Sequence, residues 1–110
     1  AQRGVLHGLP IVVKDNIDVA GMPCTAGSPA LQAHRPGRDA DCVAPLRRAG
    51  ALVLGKCNLH ELALGVTSGN AAYGAVLNPH APGRIAGGSS GGTAAAIAAR
   101  MAPVGLGTDT

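Results

Sequence analysis

An α/β domain with parallel strands is the fold class that this 110-residue sequence predicts. Two observations predict it. Short apolar, β-branched runs recur along the chain, and segments with helix start and stop signals lie between them. The resulting order of strand, helix, strand, helix belongs to sheets whose strands run parallel.

Residues 9–13 (L-P-I-V-V) read as a buried strand ending at Lys14. Residues 15–38 carry Gly, Pro, Ser and Thr throughout and read as loop with at most one short helix. A helix running to Ala49 follows, with Asp39 or Asp41 as its cap. Arg47 and Arg48 lie in its last turn, and Gly50 stands where a helix-terminating glycine belongs. Residues 51–54 form a second buried strand. Asn58 and Glu61 make a capping box for a helix over residues 59–64. Residues 65–84 read as a second polar loop. Residues 93–101 (T-A-A-A-I-A-A-R-M) form a small-residue helix stopped by Pro103, and residues 104–107 begin a third strand. Two loops of such length point to function, or to a place in a larger whole. The chain begins without Met and stops on G-T-D-T, so a fragment is expected, one that leaves sheet edges uncovered and is unstable alone.

Composition narrows the function classes. Tyr73 is the single aromatic residue, which excludes stacking platforms for single-stranded nucleic acid. The net charge of +3 is too weak to argue for nucleic acid. Residues 62–83, the longest charge-free stretch, are too rich in Ser, Asn, Gly and Pro to span a membrane, and A-Q-R-G at the start lacks the apolar centre of a signal peptide. Cys24, Cys42 and Cys57 are odd in number and form no C-x-x-C, so a reducing, cytoplasmic setting is expected. His7, His34, His60 and His80 are widely spaced, and His60-Glu61 fails the H-E-x-x-H pattern because Leu64 takes the second His position. No metal site is expected.

The sharpest feature is Gly87-Gly88-Ser89-Ser90-Gly91-Gly92, placed directly before a helix. Its backbone N–H groups and two hydroxyls suit an anion, an oxyanion or a nucleophile. A flexible turn with a Ser cap is the plain alternative. A phosphate loop fails because no Lys-Ser/Thr follows. The G-x-S-x-G of a hydrolase elbow is present, but residues 78–83, read as loop, precede it where a strand is required. A fourth reading pairs the block with Lys14. A lysine at the end of a buried strand is unusual, and desolvation lowers its pKa enough for it to act as a base. Without a partner, Lys14 reads as a surface or salt-bridged lysine; with Ser89 as partner, it reads as a base.

Taken together, G-L-P-I-V-V-K-D-N (8–16), R-A-G-A (48–51), G-K-C-N (55–58), N-P (78–79), G-G-S-S-G-G (87–92) and G-T-D-T (107–110) resemble the amidase signature family, in family order and over nearly the whole chain. The resemblance implies part of an α/β/α layered domain with a mixed, largely parallel twisted sheet, truncated at both ends. It implies hydrolysis of a carboxylic amide by a Ser–cis-Ser–Lys triad through a serine acyl-enzyme, without cofactor or metal. Lys14 matches the family's catalytic lysine and Ser89 the bridging serine, with a cis peptide bond from Gly88. The nucleophilic serine is expected just beyond residue 110. Thr110 matches an oxyanion-hole position, and Gly87, Gly88, Ser90, Gly91, Gly92 and Asp109 complete the active-site loops.

Thr67 and Asn70 are candidate substrate-binding residues. Lys56 matches a family position but reads as structural. Ala86 replaces the usual Pro before the block, and His60-Glu61 replaces the Asp-Glu pair common in tRNA-dependent amidotransferase subunits, which favours small-amide hydrolases such as those acting on indoleacetamide or mandelamide. The expected partner is a small-molecule amide, with a homodimer as a candidate assembly and no membrane or nucleic-acid partner. The alternatives are an A-type amidotransferase subunit, which would serve an acylated tRNA, and a catalytically dead fragment.

Overall fold

The computed structural model describes residues 3–109. Its centre is a three-stranded parallel sheet of β1 (Pro10–Lys14), β2 (Leu52–Cys57) and β5 (Val104–Leu106), in the order β2-β1-β5. β1 is the middle strand, and its alternating side chains supply both faces. Ile11 and Val13 join Ile17, Val19, Val43 and Ala51 in one buried cluster, against which Leu46 of helix α1 (Ala44–Arg48) packs. Val12 points the other way and joins Cys57, Ala96 and Ala102 beneath helix α2 (Gly91–Ala98). A helix thus lies on each face, the layering that the resemblance implied. Lys14 shares the parity of Val12 and reaches the N-terminal end of α2.

Small residues let α2 come close. A Cβ added at Gly105 of β5 would meet Thr93 Cγ2 at 2.5 Å, and one added at Gly92 would meet the Asn58 carbonyl oxygen at 2.1 Å.

Four expectations about elements need correction. The second strand continues past residue 54 to Cys57 through an irregularity, since Ile11 pairs with Val53 but Val12 with Gly55. Gly55-Lys56 concealed this continuation. Helix α1 begins at Ala44 with Val43 as an N-cap that makes no side-chain cap bond. Asp39 instead accepts from the Ala20 N–H and pairs with Arg47, and Cys42 just before the helix is exposed. The helix over residues 59–64 is only a single turn, Glu61–Ala63. Asn58 Oδ1 accepts from the Leu59 N–H, the His60 N–H is committed to the Ser89 carbonyl, and Leu62 and Ala63 turn to positive φ. Finally, the second loop contains an antiparallel hairpin of β3 (Leu77–Asn78) and β4 (Ala81–Ile85). Pro82 and Gly83 hid it, since Pro is confined to strand edges, starts and bulges and Gly weakens a strand. The Gly-Ser block is therefore preceded by a strand, though one outside the parallel sheet.

Candidate active site

The site forms where the C-terminal ends of β1 and β5 meet the N-terminus of α2, the customary place for chemistry in open parallel sheets. Lys14 is 0% exposed. Its Nζ donates to Ser89 Oγ at 2.6 Å and to Thr108 Oγ1 at 2.7 Å. Thr108 Oγ1 also accepts from Asn16 Nδ2 at 3.1 Å. No carboxylate is within ion-pair distance of Lys14 among the described residues. Burial holds its amine below the ordinary lysine value of 10.5, against a weaker upward pull from Asp109.

The peptide bond between Gly88 and Ser89 is cis. The block around it is tied down on two sides. Ser68, fully buried, donates its hydroxyl to the Gly87 carbonyl at 2.6 Å and accepts from the Gly91 N–H at 3.0 Å. On the other side, Ser90 Oγ donates to the Thr108 carbonyl at 3.0 Å and accepts from the Thr108 N–H at 3.2 Å. These two bonds join the Gly-Ser block to the end of β5. Gly88, Ser89 and Asp109 line a cleft of about 240 Å³ with Ala63, Leu64, Gly65 and Val66. A larger groove of about 680 Å³ lies along β2 by Met22, Lys56 and Tyr73, and neither Lys14 nor Ser89 borders it.

The structure thus brings Lys14, Gly87, Gly88, Ser89, Ser90, Gly91 and Asp109 together; Gly92, the second residue of α2, lies beside them, its N–H donated to the Asn58 carbonyl. Thr110 lies outside the described residues. Asn70 is buried, with its amide fully engaged. Its Nδ2 donates to the Gly27 and Leu59 carbonyls, and its Oδ1 accepts from the Ala72 and Tyr73 N–H groups. It builds the loop and has no free group for a substrate. Thr67 is exposed, with its hydroxyl beside His60 Nδ1 at 3.3 Å. Lys56 forms a buried ion pair with Asp15 at 2.9 Å and donates to the Pro23 carbonyl, a structural tie. Asp15 also holds Thr25, which folds residues 16–25 back on the sheet. Burial, with Asp18 nearby, pushes the Cys24 thiol up to about 11 and raises that of Cys57 as well, so neither is poised as a nucleophile.

Two residues of the site escaped the sequence reading. Thr108 stood only inside a motif, and Ser68 had no signal of its own.

The site is thus a buried lysine bonded to a serine of a glycine-rich loop, on a parallel α/β sheet. Comparison with known proteins gives the family. The family model described as Amidase matches residues 1–110. The chain belongs to this family, the amidase signature enzymes. It is 51% identical to the indoleacetamide hydrolase of Pseudomonas syringae pv. syringae over 100% of the chain and 25% of that protein. Identity to the A-type subunit of the glutamyl-tRNA(Gln) amidotransferase of Archaeoglobus fulgidus is 46%, over 98% of the chain and 24% of that protein. The native peptide amidase of Stenotrophomonas maltophilia superposes with a TM-score of 0.91 at 46% identity, covering 97% of this chain and 23% of the amidase. The chain spans about a quarter of the length of these relatives.

Proposed function

We propose that these residues form the lysine-bearing part of an amidase site, which hydrolyses a carboxylic amide to a carboxylate and ammonia or an amine. The observation that carries this reading is the fully buried Lys14 amine, 2.6 Å from Ser89 Oγ.

A neutral lysine amine has two N–H donors and one lone pair. Thr108 Oγ1 takes one donor, which turns the lone pair toward Ser89 when the Ser89 hydroxyl donates. Ser89 then gives its proton to Lys14 and receives one from a nucleophilic serine that we place just after Thr110, in a G-T-D-T-G-G-S continuation. That serine's oxygen bonds to the amide carbon. The proton returns through Ser89 to the leaving nitrogen as the C–N bond breaks, and water hydrolyses the acyl-enzyme by the same relay. Backbone N–H groups around Thr110 would hold the oxyanion. No step calls for a metal or cofactor. The free thiols Cys24, Cys42 and Cys57 fit a reducing, cytoplasmic setting.

Ammonia release by the full-length protein from a panel of primary amides, indoleacetamide first, tests the reading. Mass spectrometry of the quenched reaction should find the acyl group on the serine after Thr110. Absence of both release and acyl-enzyme across the panel contradicts it. The likeness to the amidotransferase protein supports a second reading, in which the ammonia passes to an acylated tRNA within a complex; co-purifying partner proteins would favour it.

A further inference from the structure

Ser68 is the one fully buried hydroxyl among the described residues, and all its bonding capacity is turned on the Gly-Ser block. Its single proton goes to the Gly87 carbonyl at 2.6 Å. A lone pair receives the Gly91 N–H at 3.0 Å, and the Ser89 carbonyl oxygen lies 3.5 Å away. One oxygen thus grips the chain on both sides of Ser89. The fit leaves no room for side chains opposite. A Cβ on Gly91 would come within 2.1 Å of Ser68 Oγ, and one on Gly88 within 2.8 Å. Ser68 itself is held in place, since its carbonyl accepts from the Val76 N–H and its φ is +55°.

We infer that Ser68 is a positioning residue for the proton relay, setting where Ser89 Oγ stands relative to Lys14 Nζ. The inference rests on the amidase reading above. The hydroxyl is required because no other side chain of this size both donates to one backbone carbonyl and accepts from an N–H four residues on. Removing it leaves the half-buried Gly87 carbonyl and the buried Gly91 N–H without this partner, which loosens the loop between them. Misplacement of a reacting group by about 1 Å costs on the order of 10²-fold in rate.

The test uses Ser68→Gly and Ser68→Ala in the full-length protein. Glycine adopts the positive φ freely, so Ser68→Gly removes the hydroxyl without backbone strain. Both variants, assayed below their unfolding temperatures, should lose kcat on the order of 10²-fold with KM unchanged. A Ser68→Gly enzyme with wild-type kcat, or one whose KM rises while kcat holds, overturns the inference. If the wild-type protein releases no ammonia, the amidase reading fails on its own. The Lys14 amine resonance, followed by nitrogen-15 NMR, then decides the role of Ser68. It shifts in Ser68→Gly if Ser68 sets the Lys14–Ser89 contact, and it stays in place if Ser68 does not.

Discussion

Lys14 Nζ lies 2.6 Å from Ser89 Oγ, although 75 residues separate the two in the chain. β1 ends at Lys14 on the face covered by α2, and the Gly-Ser block enters that helix, so strand parity and helix packing make the contact together. Thr108, next to the end of β5, closes the triangle.

The first prediction concerns Lys14 itself. Lys14→Met in the full-length protein keeps most of the side-chain volume at this fully buried position, whereas Lys14→Ala opens a cavity and costs stability. Removing the proposed general base should lower kcat by roughly 10²–10⁴-fold. Steady-state assays beside thermal unfolding check both halves, with Lys14→Met folded and slow.

A second prediction follows from the sign of the Lys14 shift. The proposed relay needs the neutral amine, so kcat/KM should rise with pH through the lowered Lys14 pKa and then level off. Asp109 pulls that pKa upward, so Asp109→Asn should move the rising limb to lower pH. Stability follows the same group. Between the lowered folded-state pKa and about 10.5, the unfolded chain binds the proton that the folded one has lost, so stability increases with pH across that window. Lys14→Met should flatten this increase in urea titrations run at several pH values.

A third prediction sets helix propensity against packing. Gly→Ala in a helix ordinarily stabilises by roughly 0.5–1 kcal/mol. At Gly92 the added Cβ would sit 2.1 Å from the Asn58 carbonyl oxygen, part of the backbone rather than a side chain free to turn away. Overpacking costs about 1–3 kcal/mol, so the steric effect wins and Gly92→Ala should lower the urea midpoint.

Much of this was legible in the sequence, for physical reasons. β1 announces itself because a parallel strand buried on both faces needs an unbroken apolar run, and L-P-I-V-V is one. The start of α2 shows because glycine and alanine crowd where a helix must approach closely. Lys14 stands out as a lysine at the end of a buried strand, and Ser89 through the four glycines around it. The rest depended on tertiary partners. Ser68 looks like any loop serine until the fold places it under Gly91. Asn58 and Glu61 form a sound capping box locally, yet the His60 N–H bonds to Ser89 instead, and the helix gives way to a turn. Asp39 reads locally as a helix cap, yet in the fold it joins Ala20 and Arg47.

The proposed amide hydrolysis turns on Lys14 acting as a base through its neutral amine. The most direct measurement is a nitrogen-15 NMR titration of the Lys14 side-chain amine in the full-length protein, identified by its loss in Lys14→Met. The expected result is an amine that deprotonates below the ordinary lysine value of 10.5, in step with the rise of kcat/KM. An amine still protonated at that value while hydrolysis proceeds at full rate would contradict a base role for Lys14.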